Sequence, residues 1–314
     1  MPLTDSPAPT SRTESLVTLL LRGLLAGLVG GVLAGGVAFV LGEPHIDAAI
    51  AIEESAGAHE HDAVESGGHS HDEDEALVSR TGQRFGLFLA TGLAGMALGA
   101  VFSVAYYYLR LRRVSASSAP AFGLVLAGLA WLAVEAVPFF KYPANPPAVG
   151  DPETITQRTW LWFASVVLGL IAVSVAAGVA RAVRDRQFLS VRVAAPVAAF
   201  LAVVTVGYLI LPKIDEVADD FPASLLWEFR LSSLAVQATL WLVLGMAFAF
   251  LTERAARIRR RAGRSKRRRA GRSNHTLSGR QPVGRERCTW NGSSRSGGAS
   301  SAFRSQLPSS ASAS

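Results

Sequence analysis

The sequence predicts an all-α, polytopic integral membrane protein, a bundle of about six transmembrane helices. Three observations predict it. Half of the 314 residues are hydrophobic. They gather into six runs, most near the ~20 residues that carry a helix across ~30 Å of hydrocarbon. The connections between the runs alternate in charge, as membrane topology requires. Buried helices of a soluble protein rarely run this long without charge.

Residues 1–15 are rich in Pro, Ser and Thr and are expected to be disordered. The first span is 16–41, where Gly23, Gly27, Gly31 and Gly35 recur every fourth residue. That spacing puts them on one helical face, where missing side chains admit a second helix. Its apolar run exceeds the 7–15 residues of a signal-peptide core, so retention is expected. The second span, 85–109, repeats the pattern with Gly95 and Gly99 and ends on Tyr106, Tyr107 and Tyr108. Tight packing explains both glycine series; a path or gate along them is the sharper reading. The third span, 119–140, holds one charge, Glu135. The spans 160–180, 194–211 and 231–251 hold none, and Trp160 and Trp162 stand at the head of the fourth as interfacial anchors.

The formal charge of +7 describes only the tail. From residue 254 onward sixteen Lys/Arg face one acid; the first 253 residues hold fifteen against twenty-three. The tail, 253–314, has no apolar periodicity and is expected to be a disordered basic segment. Its place beside a membrane points to anionic lipids. No stacking aromatics or binding fold accompany the charge, so no nucleic acid is expected. The single cysteine, Cys288, allows no internal disulfide. Arg12 and Arg22, Arg110, Arg112 and Arg113, Arg181 to Arg192, and the tail mark one side of the membrane. The basic side is the cytoplasmic one. Both termini are therefore expected in the cytoplasm, and the first, third and fifth connections outside.

The first connection, 42–84, carries five of the six histidines and eleven of the twenty-four acids. Imidazole and carboxylate are the ligands of divalent transition metals. His59 and His61, like His69 and His71, are two apart, and in an extended chain such pairs point to one side. Asp62 and Asp72 complete the candidate metal set in this segment. A solvated acidic linker with incidental histidines is the competing reading, since histidine tracts are metal-binding on composition alone. Glu43-Pro44-His45 stands where an ion would leave this loop for the membrane, or forms a structural turn; Pro44 is expected to make the entry extended. Glu135 either faces an interior cavity or reaches the interface near Phe140, since a carboxylate in an apolar span is costly. The third connection, Lys141 to Thr154, has four prolines and cannot be a continuous helix. It offers Asn145 and Asp151, and the fifth connection leads to Glu228 and Arg230. Both are expected to shape a vestibule or to cap the bundle. No phosphate-binding GxxxxGK[ST], no HExxH and no GxSxG occurs, which argues against an enzyme.

Four segments, GEPHIDAAIAIEE (42–54), the histidine/acid segment, KYPANPPAVGDPETI (141–155) and DFPASLLWEFRLSS (220–233), resemble the CbtA family of cobalt transporter subunits over roughly 16–252. The resemblance implies cobalt uptake linked to cobalamin metabolism, in a bacterial or archaeal cytoplasmic membrane. It also implies a small single-span, CbtB-like partner subunit that supplies a histidine. That family is usually described with about five spans; six are counted here. The reading is a transporter subunit with no resident cofactor, which binds or carries Co2+ (alternatively Ni2+ or Zn2+). Capture falls to the outer loop, and the path residues are Glu135, Asn145, Asp151 and Glu228. The alternatives are a non-conducting metal-binding accessory or sensor, and a structural membrane protein.

Overall fold

A computed structural model describes residues 14–61, 80–112, 118–147, 149–150, 152–214, 216–218 and 220–278. Among them there are helices and no strands. The helices are α1 (Leu16–Val37), α2 (Glu43–His61), α3 (Arg80–Leu111), α4 (Ala119–Trp131), α5 (Val137–Lys141), α6 (Ile155–Ala182), α7 (Leu189–Ile210) and α8 (Ala223–Ser278). Five-residue π-helical turns join α1 to α2 (Ala38–Gly42) and α4 to α5 (Leu132–Ala136). Six stretches are long and apolar enough to cross a membrane: Leu16–Ser55, Gly82–Leu111, Ala119–Lys141, Ile155–Ala182, Leu189–Ile210 and Ala223–Ser265. They coincide with the six expected runs, most of them extended at one or both ends.

The closest packing is between α1 and α3, and the glycines cause it. A Cβ on Gly23 would lie 2.2 Å from the Gly99 carbonyl oxygen. One on Gly27 would lie 2.0 Å from the Gly95 oxygen, and one on Gly31 2.2 Å from the Thr91 oxygen. Only a helix without side chains along this stripe lets the two backbones touch. Ser103 fastens the seam at its end, donating to the carbonyl oxygens of Leu19 and Gly99, 2.9 Å each.

The middle of α8 closes the core. Phe248 meets Phe102 and Tyr106 edge-on, with centroids 5.1 and 4.9 Å apart. Leu240 and Leu244 lie over Gly30. Span four joins span three the same way: a Cβ on Gly169 of α6 would stand 2.1 Å from the Ala133 carbonyl oxygen. No residue of α7 is buried, and its Gly207 fits against Leu168 of α6. Its apolar side chains are suited to lipid.

Two expectations are corrected. Pro44 does not make an extended entry; it is the second residue of α2. An interior proline normally breaks a helix because it lacks an N–H and its ring strikes the carbonyl four residues back. Here the preceding turn is widened, and the Glu43 N–H bonds back five residues to the Ala38 oxygen. The same device precedes Pro138, where the Val137 N–H bonds to the Leu132 oxygen. Second, the polypeptide is helical well past 252, to Ser278. Lys and Arg are good helix formers, which offsets the lack of an apolar face. Residues 262–314 form a unit of their own, and its described part is this basic helical stretch.

Candidate functional site

Parts of the first and third connections reach the start of α8, and three candidates, His45, Glu228 and Asn145, come together there. The π-turn at Ala38–Gly42 delivers Glu43, His45 and Asp47 on the first turns of α2. His45 Nδ1 lies 2.6 Å from the Leu41 carbonyl oxygen, and Nε2 lies 3.3 Å from Glu228 Oε2 at the start of α8. A carbonyl oxygen only accepts, so Nδ1 carries the proton. In the neutral ring the Nε2 lone pair then points toward a carboxylate. In the protonated ring the two form an ion pair. A histidine whose second nitrogen is held by a carbonyl has the orientation typical of a metal ligand.

Glu43 is 8% exposed. Arg84, near the start of α3, reaches it through Nε at 3.4 Å and reaches Asp47 through a terminal nitrogen, also at 3.4 Å. The same guanidinium stands 5.9 Å from the Phe39 ring, within the π-turn. Sequence reasoning missed Asp47. It lies one helical turn beyond Glu43, a signal hidden by the expectation that Pro44 makes the entry extended. Arg84 gave no signal, because only the fold brings it across from the next span.

Beside this group stands a cap made of the third and fifth connections. Arg158 of α6 pairs with Glu216 at 2.8 Å, and Thr154 hydrogen-bonds the other Glu216 oxygen. Gly150, with φ of 126°, turns the chain next to Arg158 and Glu216. Arg230 donates to Asn145 Oδ1 at 2.9 Å and to the Ala144 oxygen at 3.4 Å. Lys141 Nζ donates to the Tyr208 oxygen at 2.9 Å, and the Tyr208 hydroxyl donates to the Val137 oxygen. The Tyr142 hydroxyl donates to the Pro212 oxygen at 2.7 Å, and loss of water raises its pKa. Asn145 is thus tied to an arginine inside the cap. Arg158, Glu216 and Thr154 were not singled out in the sequence.

Glu135 lies elsewhere. It sits within the second π-turn, half-buried, and accepts a hydrogen bond from Trp241 Nε1 of α8 at 3.2 Å. This places it between the third and sixth spans. Trp241 is thirteen residues along α8 from Glu228, about 20 Å of helix at 1.5 Å per residue. Beside it, Trp131, Trp241, Leu124 and Gly245 line an apolar cavity of about 360 Å³ between α4 and α8.

His59 and His61 fall on the last turn of α2. The backbone expected to be extended there is helical. Asp62, His69, His71, Asp72 and Asp151 lie outside the described residues. Among the described residues no three His, Cys, Asp or Glu side chains stand close enough to hold a metal ion together.

A family model described as "Probable cobalt transporter subunit (CbtA)" matches residues 16–253. No curated protein and no solved structure matches the chain.

Proposed function

The chain belongs to the CbtA family of probable cobalt transporter subunits, and from that premise we propose that it admits Co2+ at the end of the bundle where α2 and α8 begin. Ni2+ and Zn2+ suit the same ligands. In this reading the end is extracytoplasmic and both termini are cytoplasmic, consistent with the alternating loop charge. The histidine/acid segment gathers the ion, His45 and Glu228 receive it, and Glu135 serves it deeper in the bundle. The observation that carries the reading is the His45–Glu228 pair: a ring with Nδ1 held by Leu41 presents Nε2 to a carboxylate 3.3 Å away. An inward-negative potential favours a divalent ion by about 4.6 kcal/mol per 100 mV, twice the single-charge value. A subunit has a partner, and a small single-span CbtB-like chain fits that role.

The test is radioactive cobalt uptake by the full chain, with its partner, in a host without other cobalt importers. His45→Ala and Glu228→Gln should each lower the initial rate about tenfold, the scale seen when metal ligands or their supports are lost. The double variant should be little worse than either, since the two act on one ion. Replacing His59, His61, His69 and His71 together by Ala should raise the half-saturating concentration and spare the maximal rate. Binding of Co2+ by the purified protein with no uptake in cells would favour a non-conducting accessory or sensor instead.

A further inference from the structure

We propose that Glu14 is the clasp of an inner gate: it holds shut the end of the bundle opposite His45 and lets go for an ion to leave. The inference rests on the reading that ions enter beside His45. Glu14 stands one residue ahead of Ser15, the N-cap of α1. Its two carboxylate oxygens serve two helices. One lies 2.7 Å from Arg22 Nη1 of α1, the other 3.0 Å from Arg259 Nη2 of α8. The first has the length of a strong charge-assisted bond; the second is looser. The Arg22 and Glu14 side chains are 12% and 21% exposed, that of Arg259 53%. The hold on α1 is therefore shielded, and the hold on α8 is the one that water loosens.

Beside the clasp the bundle is dry. Leu19 stands three residues ahead of Arg22, and it forms one buried cluster with Phe102, Tyr106, Phe122 and Phe248. These five residues come from α1, α3, α4 and α8. Thr252, two turns ahead of Arg259 on α8, is buried as well. Packed rings exclude a hydrated cation, as apolar constrictions do in channels. At the other end the Glu228 side chain is 61% exposed, so water reaches the receiving pair. Sealed at one end and wet at the other, the bundle has the form of an entry state. The first and sixth spans carry both polar holds. Arg22 and His45 are twenty-three residues apart, about 35 Å of helix. Glu228 and Arg259 are thirty-one apart, about 46 Å. Between the holds α8 meets α1 at Gly30, where a Cβ would stand 2.9 Å from the Leu240 oxygen. In the proposed cycle α8 rocks on α1 about this bare contact. Arg22 and Arg259 share one anion, so once Glu14 lets go of Arg259 the like charges drive the two helices apart.

The test makes the clasp permanent. In the full chain with its partner and with Cys288→Ser, Glu14→Cys and Arg259→Cys are joined by a short bis-methanethiosulfonate, which a reductant cleaves. A contact that only stabilises the fold is served as well by a covalent link, and uptake would then be unchanged. A gate is jammed by it. Radioactive cobalt uptake should be lost on cross-linking and return on reduction, while the cross-linked protein still binds Co2+ in calorimetric titration. In the unmodified protein, Co2+ should make Arg22 severalfold more reactive toward phenylglyoxal, read by mass spectrometry, while the exposed Arg184 is unchanged. This second measurement does not depend on a variant folding. Uptake indifferent to the cross-link, or Arg22 reactivity indifferent to Co2+, overturns the gate and leaves the transport reading in place. Absence of uptake by the unmodified chain with its partner overturns the transport reading itself.

Discussion

Gly27→Ala should destabilise the protein, whereas Gly36→Ala, nine residues along the same stretch of helix, should not. A Cβ built on Gly27 stands 2.0 Å from the Gly95 oxygen, 2.8 Å from the Gly95 carbonyl carbon and 3.1 Å from the Gly99 Cα. All three are backbone atoms of α3, so no side chain can rotate out of the way. Helices α1 and α3 must part by about 1.4 Å before the closest contact reaches ordinary van der Waals distance. A gap of that size forfeits roughly two thirds of each contact along the seam, at about 0.15 kcal/mol per atom pair. Over some twenty pairs this is about 2 kcal/mol, within the 1–3 kcal/mol typical of overpacking. Alanine's better helix propensity returns up to about 1 kcal/mol. The net expectation is a loss of about 1–2 kcal/mol. Nothing lies within 4 Å of a Cβ on Gly36. There the propensity term acts alone, and the variant should gain up to about 1 kcal/mol. Reversible unfolding by SDS in mixed micelles, followed by far-UV circular dichroism, separates the two. A Gly27→Ala protein as stable as Gly36→Ala would refute the argument that backbone contact holds these helices together.

Two further outcomes follow from the other groups. Glu135→Gln keeps an oxygen for the Trp241 indole and removes only the charge, so the unfolding midpoint should hold while cobalt uptake falls about tenfold if the carboxylate meets the ion; normal uptake would assign Glu135 to packing. Glu216→Ala leaves Arg158 unpaired in the cap and should cost about 1–2 kcal/mol, less than a fully buried pair because Arg158 remains partly in water; an unaltered midpoint would show that the third and fifth connections are not held by this pair.

Much of the candidate site was within reach of the sequence, residue by residue. His45, Glu43 and Glu228 were each singled out, from ligand chemistry or from position at the edge of a span. Their meeting was not legible, because residues 45 and 228 lie on elements separated by four other spans. Asp47 was hidden by one local error. Pro44 was read as making the entry extended, but a widened turn carries the helix through it. The same turn recurs before Pro138, where it carries Glu135. A π-turn arises from backbone bonding that side-chain periodicity does not record. Asn145 was read as a free oxygen ligand, while the fold uses it to hold Arg230.

The sequence by itself determined that this is a multi-pass membrane protein, where its spans lie, and which face of the first span is bare. Those properties follow from the cost of putting charge in hydrocarbon and from helical spacing, both local along the chain. Only the tertiary structure decided which helix fills that bare face, that Arg84 reaches Glu43 and Asp47, and that Glu135 stands between the third and sixth spans, apart from His45 and Glu228. These depend on contacts between residues distant in sequence, and membrane helices of similar hydrophobicity do not specify their neighbours by composition. The fit of backbone against backbone and charge against charge does.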